Sequence, residues 1–170
     1  MNYRIWMIAV AAGLCGGVAE MAWIGIYSLG SSVPAAAVAS QIAATVFPGS
    51  EGAWVAPLTG VGIHLALSAG LGVAFVAALL AFRRLPAARL QDERALALVV
   101  LSAVWAVNFL CILPAINPAF VQLMPYSVTL ASKILFGLAM AGVLHYHSGL
   151  GAAERTLFLR DRRLDHPFQG

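Results

Sequence analysis

Charge is scarce in this chain. Asp, Glu, Lys and Arg make up 10% of its 170 residues, against roughly 25% in a soluble domain. A soluble domain of this length could not cover its surface with so few charges. Lysine occurs once, at Lys133. Cysteine occurs twice, at Cys15 and Cys111, with no CxxC pair, so no thiol-exchange motif is present. Both cysteines fall inside apolar runs and read as small buried hydrophobes. The chain has no Gly-rich phosphate loop, no His/Cys metal spacing and no nucleic-acid module. No cofactor, no metal and no nucleic-acid partner is expected.

What is abundant is apolar surface. Hydrophobic residues are 61% of the chain, and the mean hydropathy is +0.87. A helix needs about 20 apolar residues to cross a bilayer. Four runs qualify: Ile5–Leu29, Val55–Phe82, Ala95–Leu113 and Val121–Leu144. The first is read as a retained span and not a signal peptide. The apolar stretch before the small residues Ala9-Val10-Ala11 is too short for an h-region, and the run continues to Leu29. The expected fold is an all-α membrane four-helix bundle. Residues 1–147 form the transmembrane domain and 148–170 a basic tail.

The connecting segments set the orientation. Arg4, Arg83, Arg84, Arg89, Arg94, Arg155, Arg160, Arg162 and Arg163 all fall on one side, nine of the ten basic residues. The positive-inside rule puts both termini and the 83–94 loop in the cytoplasm. Tyr3, Trp6 and Tyr146 then mark the inner interface. Trp23, Tyr27, Trp54, Phe120 and Tyr126 lie nearer the outer one. The outer loop 30–54 carries Glu51 and no basic residue. Within it, Ser31-Ser32-Val33-Pro34 is a helix start, and Ala35–Phe47 is expected as a short helix on the outer surface. The tail, with Leu157, Leu159 and Leu164 among arginines, lies on the inner leaflet or frays.

Ionisable residues inside spans are costly and face protein or water. There are three: Glu20, His64 and Lys133, with Asn108 as an uncharged fourth. Gly13, Gly17 and Glu20 share one stripe of span one. Gly60, His64, Ser68 and Gly72 share one on span two. Asn108 and Cys111 share a face of span three, and Tyr126, Thr129, Lys133 and Gly137 share one on span four. Small residues on such stripes let helices approach closely. At about 1.5 Å per residue, Glu20, His64 and Asn108 lie roughly 8–13 Å below the outer ends and Lys133 roughly 18 Å. Glu20 leans inward and Lys133 outward, because side chains tilt toward their own helix N-terminus. A Glu20–Lys133 ion pair is therefore expected, with His64 and Asn108 as neighbours. Pro114 and Asn117-Pro118 are expected to end span three in a tight turn, and Pro125 to open span four. A shift of 64 residues also aligns Ser68, Leu71, Ala77 and Leu80 with Ser132, Leu135, Ala141 and Leu144.

The segment from Trp105 to Gly137, together with Glu20, Gly62-Ile63-His64 and the long outer loop, resembles a group of four-span bacterial inner-membrane proteins. The resemblance covers residues 60–150 and, loosely, span one. It implies architecture and brings no catalytic motif. Glu20 alone is similar to the first-span Glu of the small multidrug exporters. Those proteins are shorter, with tight loops and no counterpart of Lys133, which puts an export activity in doubt.

Two functions follow as expectations. The first is a non-enzymatic accessory or assembly subunit, partnered by the bilayer and by other membrane subunits or a second copy. The alternative is a small transporter or proton-linked carrier using Glu20, His64 and Lys133. An enzyme is not expected, because no nucleophile–base or metal constellation stands out.

Overall fold

The computed structural model describes residues 3–82 and 93–164, with side chains at 3–81 and 98–147. The arginine-bearing segment 83–92, including Arg83, Arg84 and Arg89, lies outside the described residues. The side chains of Arg94 and of the tail arginines lie outside them as well. All described secondary structure is helical. In order it is α1 (Tyr3–Leu29), α2 (Ala35–Val46), α3 (Ala56–Phe82), α4 (Glu93–Val107), a π-helical turn (Asn108–Ile112), α5 (Leu113–Ile116), α6 (Pro118–Leu123) and α7 (Tyr126–Leu164).

Four helical stretches are long and apolar enough to cross a membrane: Tyr3–Leu29, Ala56–Ala81, Leu98–Ile116 and Tyr126–His147. Only 17–33% of each apolar window is buried within the protein. The remaining surface is still apolar: Met7, Ile26, Leu58, Leu67 and Val99 are all more than 60% exposed. In water such a surface would aggregate; in hydrocarbon it is at home. The chain is a multi-pass membrane protein.

α1 lies in the middle of a row. It packs against α3 on one side and α7 on the other, and α4 packs against α7. α3 and α4 are the ends of the row and share no extensive contact among the described residues. Close approach of α1 and α3 depends on glycine. A Cβ at Gly13 would run into the Ser68 carbonyl and Gly72, and a Cβ at Gly72 would meet Ala9 and Gly13. This is small-residue packing of the membrane kind. Gly16, on the neighbouring stripe, seats the ring of Phe136 from α7. Gly60 instead admits the backbone of α2 at Ala39. Gly137 is buried.

Below the polar residues the four spans meet in one apolar core. Ala12 of α1, Phe75 of α3, Leu101 of α4 and Phe136, Met140 and Ala141 of α7 form it. At the other end of the bundle α2 packs on α3 and α6. α2 starts after Pro34, whose fixed φ suits a helix entry, and its last turn is closed by Phe47 N–H to the Ala43 carbonyl. Gly49, with φ of +84°, then turns the chain back toward α3.

The stretch after α4 differs from the expected tight turn. Helix continues past Pro114 to Ile116, then breaks at Asn117. The π turn explains this. It bonds Leu113 N–H to the Asn108 carbonyl and shifts the ladder by one residue just before Pro114. The missing proline N–H then falls at the start of a new short helix, where none is needed. Span four also starts later than Val121. Pro125 keeps Met124 extended, so α6 ends there and α7 begins at Tyr126. α7 runs without a break to Leu164, so no hinge separates the tail from the last span.

Candidate functional site

The polar residues of α1, α3 and α7 converge. Lys133 Nζ donates to Glu20 Oε2 at 2.8 Å. Ser132 Oγ donates to Glu20 Oε1 at 2.8 Å. Helix geometry places consecutive residues 132 and 133 to straddle one carboxylate, each taking one oxygen. Glu20 is 8% exposed, so a single carboxylate is held deep in the protein with both oxygens engaged. Burial of such a group is tolerable only with a charged partner and hydrogen bonds.

His64 completes the cluster from α3. Its Nε2 lies 3.2 Å from the Gly17 carbonyl and 3.8 Å from Glu20 Oε2. A carbonyl only accepts, so Nε2 carries a hydrogen directed at Gly17. The longer Glu20 distance is a neighbour contact beyond hydrogen-bond range. Gly17 allows the close approach of α3: a Cβ there would collide with the Ser68 side chain. Ser68 is buried and donates from Oγ to the His64 carbonyl at 2.7 Å.

This cluster does not sit in packed protein. It faces a cavity of about 640 Å³. The walls come from α1, α3 and α7, with Val104 of α4 and Asn108 of the π turn opposite α3. Residues of α2, α5 and α6 line the far end, and Phe136 lies on the side of the core. Most of the lining is apolar. Its ionisable members are Glu20, His64 and Lys133. Beyond Glu20, the Lys133 ammonium has the Phe136 ring 5.2 Å away. Asn108 lines the cavity, and its side-chain amide has no hydrogen-bond partner among the described residues.

At the far end of the cavity, α2 and α6 are tied to each other. Asn117 is buried, and its Nδ2 donates to the Gln41 carbonyl at 3.0 Å and to Thr45 Oγ1 at 2.9 Å. Its Oδ1 accepts from Phe120 N–H at 3.1 Å, capping α6. Trp23 Nε1 bonds the Val128 carbonyl at 3.0 Å and ties α1 to the start of α7. Trp105 Nε1 donates to Thr129 Oγ1 at 3.0 Å, and its ring stacks on Phe109.

The structure thus brings together Glu20, His64 and Lys133, with Asn108, Ser68 and Thr129 on the same cavity. Two other residues sharing faces with these stand apart. Cys111 is exposed and lines no part of the cavity, because the π turn rotates it away from Asn108. Tyr126 is half exposed and sits edge-on to Trp105, outside the cavity lining. Sequence reasoning did not single out Ser132, which holds the second carboxylate oxygen. Its signal was present: a serine beside the lone lysine, at the position aligned with Ser68. No family model, no curated protein and no solved structure matches this chain, so the functional reading rests on the site itself.

Proposed function

We propose that this multi-pass membrane protein is a small carrier, which holds a small molecule in the cavity beside Glu20 and Lys133. One observation carries the reading: the buried ion pair borders a cavity of about 640 Å³ and not close-packed side chains. A pair that serves packing alone needs no open space beside it, whereas this space leaves two N–H groups of the Lys133 ammonium free to meet a ligand. Pockets of roughly 300–1,000 Å³, mostly apolar with a few polar groups, are the usual form of small-molecule sites. The arginine pattern supports an orientation with both termini cytoplasmic and α2 outside. A bacterial inner membrane is the setting the family resemblance implies.

The accessory-subunit reading is favoured by a different observation. Leu67 and Val104 are exposed on α3 and α4, beside a groove that a partner helix would fill. Extraction of the protein in native lipid nanodiscs, followed by native mass spectrometry, separates the two. The carrier reading expects the chain, alone or self-associated, with a bound small molecule. A second polypeptide in fixed stoichiometry, with the cavity empty of small molecules, would replace it by the accessory reading.

A further inference from the structure

We propose that the cavity takes a neutral, lipid-soluble molecule with carbonyl oxygens on its head and an apolar body, entering sideways from the bilayer between α3 and α4. This rests on the reading that the cavity holds a small molecule.

The route follows from which wall residues are exposed. Ala66, Leu67, Gly70 and Ala74 of α3 line the cavity and are exposed as well, and so is Val104 of α4. The α3 residues share one helical face. A residue that belongs both to a cavity wall and to the outer surface marks a gap in that wall. Val46 of α2 and Ile116 of α5 mark a second opening in the same way; the gap between α3 and α4 lies between two membrane-spanning stretches, where the outer surface meets hydrocarbon. What passes it must dissolve in lipid.

The charge state follows from the ion pair. Glu20 and Lys133 neutralise each other at 2.8 Å, and among the described residues no further Asp, Glu, Lys or Arg lines the cavity. A charged head would add an uncompensated charge in a poorly solvated place, which is costly. A neutral head avoids this.

The head-group chemistry follows from the unspent hydrogen-bonding capacity. The Lys133 ammonium has three N–H donors and no acceptor. Glu20 is its one hydrogen-bond partner among the described residues. The Asn108 amide adds two further unused donors on the same cavity. Both Glu20 oxygens are already engaged. Acceptor sites remain as well, on the Asn108 oxygen and the second lone pairs of the Glu20 oxygens, but the two free N–H groups of the ammonium are charged donors that form the stronger bonds, and they match carbonyl oxygens.

The test uses the full chain in lipid nanodiscs and three probes with the same ten-carbon tail. One has a benzoquinone head, one is undecanoate, and one is protonated decylamine. Occupancy per chain is counted by native mass spectrometry, with empty nanodiscs correcting for partition. The quinone should bind tightest. Gly70→Phe should plug the gap and lower its affinity at least about tenfold. A Cβ at Gly70 meets nothing within 4 Å, so the variant is expected to fold. Gly142→Phe, equally open and outside the cavity, should leave binding unchanged. Asn108→Leu should weaken quinone binding about 2- to 10-fold, the worth of one net hydrogen bond.

Tighter binding of either charged probe, blocked by Gly70→Phe, would overturn the ligand class and leave the carrier reading standing. Equal binding of all three probes, or quinone binding indifferent to Gly70→Phe, would overturn the inference as a whole. Failure of the carrier reading has its own mark: a second polypeptide in the native particle and no small molecule.

Discussion

Each oxygen of Glu20 has its own partner, and the partners differ in kind. Lys133 supplies a full charge to Oε2, and Ser132 supplies a dipole to Oε1. The Ser132 hydroxyl also lies 2.7 Å from the Thr129 carbonyl. Its one hydrogen serves a single acceptor at a time, and an ionised carboxylate is the stronger of the two. The asymmetry predicts what single substitutions do. Glu20→Gln removes the charge and leaves Lys133 unpaired in a mostly buried place. The expected cost is about 3–5 kcal/mol of stability, the usual range for breaking a buried pair from one side. Thermal or denaturant unfolding in detergent micelles measures it. A change below about 1 kcal/mol, the worth of an exposed pair, would show that water reaches the pair freely.

At the scale of elements, the hinge of the design is the stretch from Asn108 to Met124. The π turn lets helix continue through Pro114, and Asn117 then ends it and grips α2. Asn117→Ala removes both bonds to α2 and the cap of α6. Hydrogen exchange of the α2 amides should accelerate, by the equivalent of about 1–3 kcal/mol for partners left unsatisfied. Exchange in α1 and α3 should stay unchanged. Uniform acceleration across all helices would mean that α2 is an integral part of the bundle and not a separately held cover. The four spans were legible in the sequence because a 20-residue apolar run has few other uses. The Ala-rich helix after Pro34 was legible from its start signal. The π turn was not. A single extra residue in the hydrogen-bond ladder leaves no compositional mark, and it is what separates Cys111 from Asn108. The contact of Gly60 with α2 was also hidden, since a small-residue stripe says that something approaches but not which element does.

For the whole molecule, the stripe argument had a clear strength and a clear limit. Helical spacing and the opposed lean of side chains on antiparallel spans point Glu20 toward Lys133, and the two stand at 2.8 Å. Spacing does not reveal the cavity, because a void is a property of how helices diverge. α3 and α4 are the ends of an open row, and that openness creates the space. Orientation is a separate matter with its own test. Glu51→Cys and Arg89→Cys, each made in a background without Cys15 and Cys111, should react oppositely with a membrane-impermeant maleimide. In intact cells Glu51→Cys should label and Arg89→Cys should not; the reverse pattern would turn the molecule over.

The central claim is that the Glu20–Lys133 pair serves a ligand as well as the fold. The variant carrying both Glu20→Gln and Lys133→Met tests it most directly. It removes both charges together, so no unpaired ion remains, and such replacements are often neutral for stability. Ligand occupancy in native nanodiscs and the unfolding midpoint are measured on the same preparation. The account expects a midpoint close to that of the unaltered protein and loss of the bound small molecule. An unaltered midpoint with unaltered occupancy would contradict it and leave the pair as a packing device alone.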